Sequence, residues 1–213
     1  MRVALIGATG LIGRSLAPLL AAAHDLILIG RRPARVAGAD ERIGAMSEWP
    51  ALLAGATIEV AISTLGTTWK QAGTWEAFRA VDVGAVLGFA RAARAAGAGQ
   101  FINVSTVGAA AGNRHHYLAL KGEVERDLDA IGFDRLDVIR PGLLVGDRGG
   151  DRRIGERIAI AFSPVANLVL RGPLDRYAAI HASQVATAMA ALVGARDDGR
   201  HTHFNRDLAR LAT

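Results

Sequence analysis

Tyr117 and Lys121 are the residues whose types and spacing most clearly indicate chemistry. They stand four residues apart, so on a helix they lie on one face, one turn from each other. A tyrosine hydroxyl ordinarily has a pKa of about 10, but a neighbouring ammonium stabilises the phenolate and makes proton transfer easier. Such a pair can deliver a proton to a carbonyl oxygen while the carbonyl carbon is reduced. An exposed helix face is the alternative interpretation.

Two hydroxyl residues, Ser105 and Thr106, follow the apolar run 100–104, which predicts a strand. A hydroxyl at the end of that strand can hydrogen-bond a substrate oxygen and share the charge that forms on it. Adjacent residues of an extended strand point to opposite sides, so only one of the two can face the reacting atoms. Both are also common turn residues, and the sequence leaves open which of them has this role.

The start of the chain has the pattern of an anion-binding turn. An apolar run from Val3 to Ile6 is followed by Gly7, Gly10 and Gly13. This order predicts a buried strand, a tight turn and a helix whose N-terminal N–H groups face the pyrophosphate of a dinucleotide. Gly7 would permit the turn, Gly10 would let the phosphates approach the backbone, and Gly13 would let the helix pack closely against the strand. A plain tight turn is the alternative.

The residues after the second apolar run indicate which dinucleotide would bind. Residues 25–29 are followed by Gly30, Arg31 and Arg32, where an NAD site would place an acid for the ribose 2′-hydroxyl. A carboxylate would repel a 2′-phosphate, whereas guanidinium groups bind it through charge-assisted hydrogen bonds. The sequence therefore predicts NADP(H) in preference to NAD(H), with a solvated basic turn as the alternative.

Strands and helices alternate along most of the chain, and this alternation positions the candidate residues. Apolar runs predict strands near 2–6, 25–29, 58–63, 100–104 and 135–140, with a short, less clear one near 42–45. Helical patterns lie near 11–22, 74–96, 117–131 and 183–194. The alternation predicts an α/β fold, a doubly wound parallel sheet of the Rossmann type with helices on both faces. Ligands would bind at the carboxyl ends of the strands, where the strand order reverses.

The length of 213 residues suits one domain. We expect residues 1–213 to form a single NAD(P)-binding domain, in which the glycine-rich and proline-interrupted segment 147–182 is a small lobe covering the substrate. This segment contains a group of arginines that would suit an anionic substrate, although a solvated surface is an equal alternative: Arg148, Arg152, Arg153, Arg157, Arg171 and Arg176.

Composition excludes several classes of protein. The absence of cysteine rules out disulfides, thiolate metal sites and a cysteine nucleophile. The net charge of +5 is spread along the chain without interleaved aromatic residues, so we expect no nucleic-acid partner. We expect no metal site, since His201 and His203 have no third ligand nearby, and no membrane span, since no apolar run approaches roughly 20 residues. The first strand begins directly after Met1, which predicts a cytoplasmic protein without a signal peptide. A homodimer is left open.

The glycine spacing, the hydroxyl residues at the strand end and Tyr117-x-x-x-Lys121 together resemble the short-chain dehydrogenase/reductase superfamily. Further segments resemble its atypical branch, which contains the human Tat-interacting protein and many small bacterial NAD(P)-binding proteins: residues 65–68, 117–123, 133–135, 140–142 and 147–148. The resemblance covers nearly the whole chain. Residues 46–49 lack the aspartate that longer relatives use near the adenine, and the large substrate domain of the sugar epimerases is missing.

The resemblance implies further site residues. Thr9, Leu11 and Ile12 would join the glycines in binding the cofactor, and Thr106 best matches the hydroxyl position, although Ser105 is the commoner residue type. Thr64, Leu65 and Gly66 would line the adenosine side of the cofactor. The segment that runs alongside the nicotinamide carboxamide would contain Pro141, Gly142, Leu143 and Leu144.

We therefore expect an NADP(H)-dependent oxidoreductase that reduces a small carbonyl substrate. Tyr117 would be the proton donor, and Lys121 would stabilise its phenolate and hold the cofactor ribose. The alternative is an NADP(H)-binding sensor or regulatory scaffold protein with little or no turnover.

Overall fold

The structure is a computed structural model that describes residues 1–66, 74–146 and 172–213. Its strands are β1 (Arg2–Ile6), β2 (Asp25–Gly30), β3 (Asp40–Ile43), β4 (Val60–Ser63), β5 (Gln100–Val104), β6 (Arg135–Ile139), β7 (Leu143–Val145), β8 (Ala179–His181) and β9 (Gly199–His203). Seven of them form one parallel sheet in the order β3-β2-β1-β4-β5-β6-β9. Strands β7 and β8 form a separate parallel pair.

Helices cover both faces of this sheet. They are α1 (Gly13–Ala23), α2 (Trp49–Leu52), α3 (Trp75–Arg79), α4 (Val86–Ala95), α5 (His116–Asp129), α6 (Ala182–Leu192) and α7 (Asn205–Leu211). A π-helical turn, Ala80–Ala85, joins α3 to α4. Because strand side chains alternate between faces, Val3 and Leu5 enter the core under α1, α6 and α7, whereas Ala4 and Ile6 enter the core under α2, α4 and α5.

The predicted doubly wound α/β fold is confirmed, with local differences. The chain contains a seventh sheet strand, β9, and a last helix, α7, that the pattern did not indicate. The helix predicted over 74–96 is interrupted by the π-helical turn, and α1 begins at Gly13 rather than at residue 11. Residues 147–171 of the predicted lobe lie outside the described residues, as do five of its six arginines. Its described part is a 3₁₀ turn, Gly172–Tyr177, together with β8.

The strand order reverses between β1 and β4, which is where a parallel sheet of this kind opens a crevice for ligands. The chain leaves β1 toward β2 and β3 on one side, and then returns to β4 on the other. At the carboxyl ends of the two strands, the Thr64 N–H donates a hydrogen bond to the Ile6 carbonyl at 3.0 Å. The turn after β1 and the loop after β4 are therefore in direct contact.

A buried polar cluster stabilises the opposite half of the sheet. The Asp137 carboxylate on β6 accepts hydrogen bonds from the Arg135 guanidinium at 2.7 and 2.8 Å and from Gln100 at 2.8 Å, and His203 Nε2 of β9 lies 2.8 Å away. Burial on its own would raise the pKa of Asp137, but the hydrogen bonds from His203, Arg135 and Gln100 outweigh it and hold that pKa below its ordinary value.

We expect Asp137→Asn to lower the free energy of unfolding at neutral pH by about 3 kcal/mol, because Arg135 would remain buried without its counter-charge. The stabilisation by the carboxylate is present above the ordinary aspartate pKa and is lost as the pH falls through the lowered folded-state pKa. The wild type should therefore lose stability more steeply than the variant below about pH 4.

Urea unfolding at a series of pH values measures both effects. Asp127→Asn is the matched control, since it removes the partner of Arg126 from an exposed pair and should cost less than about 1 kcal/mol. An Asp137→Asn protein with wild-type stability and wild-type pH dependence would contradict the role assigned to this cluster.

Candidate active site

Two of the three glycines in the first turn are required by the packing of the turn itself. Gly7 has a φ of +90°, and a Cβ there would lie 2.6 Å from Thr64 Oγ1. A Cβ on Gly13 would lie 2.2 Å from the Gly7 carbonyl oxygen. At Gly10, by contrast, the described neighbours of a Cβ are the Gly7 oxygen at 3.1 Å and the Thr64 oxygen at 4.0 Å. The space beside Gly10 can therefore receive a ligand.

The start of α1 offers hydrogen-bond donors to that space. The Gly10 N–H donates to the Gly7 carbonyl at 2.9 Å, and the Arg14 N–H donates to the Gly10 carbonyl at 3.0 Å. Within the described backbone, no carbonyl accepts from the N–H groups of Leu11, Ile12 or Gly13. These donors lie at the positive end of the α1 dipole, an arrangement that suits a phosphate group.

A cavity of about 390 Å³ adjoins the turn at the carboxyl ends of β1 and β2. Its lining combines Thr9 of the turn, the cationic Arg31 and Arg32, and the apolar Trp49 and Leu65. An adjoining groove between α1 and residues 32–37 is lined by three arginines, Arg14, Arg32 and Arg35. The combination of apolar surface and clustered guanidinium groups suits an adenosine that carries an additional phosphate.

The loop that carries these arginines is held by a carboxylate. Glu41 of β3 accepts hydrogen bonds from the N–H groups of Ala34 at 2.9 Å and Val36 at 2.8 Å. Although Glu41 also lines the cavity, both of its oxygens are engaged by this backbone. The acid therefore orders the loop that follows Arg31 and Arg32.

Tyr117 and Lys121 both lie on α5, as their spacing predicts. Lys121 is 3% exposed, and its Nζ lies 2.6 Å from Oδ1 of Asp82, a fully buried residue of the π-helical turn. The Tyr117 ring packs against Phe78 of α3 with 5.8 Å between ring centroids. A Cβ placed on Gly66 would lie 3.8 Å from Lys121 Nζ, so the ammonium is close to the loop after β4.

The structure distinguishes the two hydroxyl candidates. Ser105 is buried, and its Oγ donates a hydrogen bond of 2.5 Å to the Glu125 carboxylate. Thr106 is partly exposed, and its side chain has no hydrogen-bond partner among the described residues. The geometry therefore favours Thr106 as the hydroxyl that a substrate can reach.

Glu125 is a site-forming residue that the sequence reasoning missed. It follows Lys121 by four residues on α5, and its carboxylate accepts hydrogen bonds from Arg140 after β6 and Arg200 of β9 as well as from Ser105. Glu125 thus fixes the helix that carries Tyr117 to the carboxyl end of the sheet. The available sequence signal was the regular spacing of Tyr117, Lys121 and Glu125 along one helix face.

In the segment predicted to contact the nicotinamide, Gly142 is required by contacts within the protein. A Cβ on Gly142 would lie 2.3 Å from the Ala178 carbonyl oxygen, and the Gly142 N–H donates to Asn205 at 2.9 Å. Gly142 is therefore required by packing within the protein. Pro141 is buried, while Leu143 and Leu144 lie on β7, and none of these residues lines the 390 Å³ cavity. Their contact with a cofactor stays a prediction.

The two histidines of β9 have structural contacts. His203 contacts Asp137, and His201 Nε2 lies 3.0 Å from the carbonyl oxygen of Asp197. Over the described ranges, no group of three or more histidines and acids could hold a metal ion. In the same ranges, no helix combines the length and the apolar character needed to cross a bilayer.

The parallel sheet, its strand order and the glycine turn define a class of protein, the doubly wound α/β fold of the Rossmann type. Solved structures confirm the fold. The chain is similar to a candidate NAD-dependent epimerase/dehydratase from Bacillus halodurans, at 21% identity and a TM-score of 0.71 over 100% of this chain and 98% of that chain. It is also similar to a UDP-glucose 4-epimerase from Thermus thermophilus, at 18% identity and a TM-score of 0.70 over 100% and 82%. No family model matches the chain.

Closer relatives define the family. The chain is 35% identical over 156 residues to Protein FMP52-1, mitochondrial, of Scheffersomyces stipitis, covering 70% of this chain and 69% of the relative. It is 34% identical over 184 residues to Protein FMP52, mitochondrial, of Meyerozyma guilliermondii, covering 82% and 78%. This chain belongs to the FMP52 family. The particular likeness to the Tat-interacting protein stays a prediction.

These relatives also correct one expectation. They are named as mitochondrial proteins, so the predicted cytoplasmic location is wrong. That prediction rested on the position of the first strand close to Met1, and the position of a strand does not determine where a folded protein resides.

Proposed function

We propose that this protein is an NADP(H)-dependent oxidoreductase that reduces a small carbonyl compound. The observation that carries the proposal is that Lys121, one turn from Tyr117 on α5, lies close to the loop that lines a cavity suited to a dinucleotide. Lys121 lies next to Gly66, and the preceding residue, Leu65, lines the cavity that also contains Arg31. A proton donor and a cofactor site thus share the carboxyl edge of the sheet.

The residues of this edge fit a bound NADP(H). The N–H groups at the start of α1 and the space at Gly10 suit the pyrophosphate, and Arg31 and Arg32 suit the 2′-phosphate. The apolar residues Trp49 and Leu65 suit the adenine. When bound, the cofactor supplies a hydride to the carbonyl carbon.

Residues of the protein bind and protonate the oxygen of that carbonyl. The Thr106 hydroxyl donates a hydrogen bond to it, and Tyr117 transfers its phenolic proton to the oxygen as negative charge develops there. The Lys121 ammonium stabilises the phenolate that remains on Tyr117. Glu125 and Asp82 hold α5, and with it this group of side chains, in a fixed position.

Consumption of NADPH with a panel of aldehydes, ketones and quinones tests the proposal. The panel includes anionic carbonyls, since Arg176, the described member of the arginine group, is exposed and its backbone packs beside Gly142. We expect turnover that depends on Tyr117. If NADPH binds tightly and no carbonyl is reduced, the sensor or scaffold function is the better assignment.

We expect the wild type to bind NADPH more tightly than NADH, because Arg31 and Arg32 line the 390 Å³ cavity and offer two guanidinium groups to a 2′-phosphate. Arg31→Ala/Arg32→Ala should lose about 1.5–3 kcal/mol of NADPH binding, or roughly 10- to 150-fold in affinity, and leave NADH binding unchanged. Fluorescence titration measures both affinities. Arg91→Ala, an exposed arginine on α4, is the control that should change neither. Equal affinities of the wild type for NADPH and NADH would refute the preference.

A further inference from the structure

Two helical segments are aligned so that each catalytic candidate on α5 meets a specific residue of the segment 75–85. Phe78 of α3 packs against Tyr117, and four residues later Asp82 of the π-helical turn pairs with Lys121. At the surface, Arg79 forms an ion pair with Glu123 at 3.1 Å. The spacing of four residues is the same on both segments. The Asp82–Lys121 contact therefore lies one helical turn along from the Phe78–Tyr117 contact on both segments.

The charges in this contact are removed from water. The side chains of Lys121 and Asp82 are 4% and 0% exposed, and their charged atoms are 2.6 Å apart. Electrostatic interactions are stronger in such surroundings than at the surface. The turn that carries Asp82 has π-helical geometry, which often occurs at functional sites.

We propose that Asp82 is a positioning residue that holds the Lys121 ammonium and keeps Tyr117 in its protonated, proton-donating form. An unopposed ammonium one turn away would favour the phenolate, and the Asp82 carboxylate offsets that effect. Tyr117, Lys121 and Asp82 together are neutral while the tyrosine holds its proton and carry a net negative charge once it is lost. The proposal rests on the proposed function only in assigning Tyr117 as the proton donor.

Other charged groups around α5 have partners or lie elsewhere. Glu125 is bound by Arg140 and Arg200, and Glu123 by Arg79. Further described titratable groups precede Tyr117 (Arg114, His115 and His116) or lie on α3 (Glu76). Others lie toward the other end of α5 or pack near it: Arg91, Arg94, Arg126, Asp127, Asp129, Asp134, Arg135 and Asp137. Asp82 is the acid that contacts Lys121 directly.

Direct titration of Tyr117 tests the proposal without cofactor or substrate. The chain contains two tyrosines, so in a Tyr177→Phe background the ultraviolet absorbance of tyrosinate reports Tyr117 alone. We expect Asp82→Asn to lower the pH midpoint of this absorbance change by about one unit, because the carboxylate that offsets the Lys121 ammonium is removed. The control Glu123→Gln removes an acid of the same helix from a more exposed pair, and should shift the midpoint much less. Equal midpoints with and without Asp82 would overturn the proposal.

A second comparison applies if Asp82→Asn does not fold, since it leaves a buried lysine without its counter-charge. Lys121→Met should raise the midpoint above that of the wild type, because the ammonium that favours the phenolate is removed while the Asp82 carboxylate is retained. Adding Asp82→Asn to Lys121→Met should lower it again, and equal midpoints in these two proteins would overturn the proposal.

Failure of the Asp82 proposal can be distinguished from failure of the proposed function. A shifted midpoint in a protein that reduces no carbonyl would refute the proposed function alone. An active enzyme in which Asp82→Asn changes neither the Tyr117 midpoint nor the pH–rate profile would refute this inference alone.

Discussion

Tyr117→Phe is expected to lower kcat for carbonyl reduction by about 10²–10⁴-fold, the usual contribution of a positioned proton donor. The substitution removes the hydroxyl but retains the ring that packs against Phe78, and it leaves the Lys121–Asp82 pair intact. NADPH affinity should therefore be unchanged. Steady-state kinetics measures kcat, and calorimetry measures cofactor binding.

The other tyrosine supplies a matched control for this variant. Tyr177 is exposed on the 3₁₀ turn Gly172–Tyr177, and Tyr177→Phe should retain full turnover. Thr106→Val should lose activity, whereas Ser105→Ala should retain it, because the Ser105 hydroxyl is already bound to Glu125. Turnover by Tyr117→Phe at the wild-type rate would show that the proton comes from another group.

Gly10→Val is expected to abolish dinucleotide binding, with a loss in affinity of more than about 100-fold, while the protein remains folded. Its Cβ would lie 3.1 Å from the Gly7 oxygen, a contact that a small local shift can relieve. The rest of the side chain would occupy the space that the N–H groups at the start of α1 face, where the pyrophosphate is proposed to bind. Calorimetry measures the binding and circular dichroism reports the fold.

Two other glycines separate this effect from simple crowding. Gly13→Val should prevent folding, because its Cβ would lie 2.2 Å from the Gly7 oxygen, within the turn itself. Gly112→Val should change neither folding nor binding, since no atom lies within 4 Å of a Cβ there in the described structure. Normal binding by a folded Gly10→Val protein would mean that the cofactor site lies elsewhere.

Most of the sheet could be predicted because its central strands are apolar on both faces. Strand β1, for example, is a short buried run that ends at a glycine turn. Strand β9 lacks this pattern, since Gly199–His203 contains arginine and two histidines and lies partly exposed at the edge of the sheet. Its pairing with β6 depends on backbone hydrogen bonds and on the Asp137 cluster, which no local pattern encodes.

In the candidate site, too, features that depend on local spacing could be predicted from the sequence, whereas features that depend on tertiary contacts could not. The spacing of Tyr117 and Lys121 is local, so their shared helix face followed from sequence. The role of Ser105 depends on Glu125, and that contact exists only once α5 has packed against the end of β5. Gly142 was expected to let a cofactor approach the backbone closely, but the Ala178 carbonyl excludes a side chain there. That carbonyl belongs to a distant segment, so the contact could not be predicted from the local sequence.

The Asp137 cluster also bears on the time the protein remains folded. It joins residues separated by 66 positions in the chain, and ordering so long an intervening segment costs entropy before the contact is made. Because this cost precedes the gain from the contact, we expect the contact to form after the transition state for folding. Interactions absent from that transition state slow unfolding without accelerating folding. We therefore expect the edge strand β9 to contribute mainly to the lifetime of the native sheet and to protect it from brief openings that expose the chain to proteases.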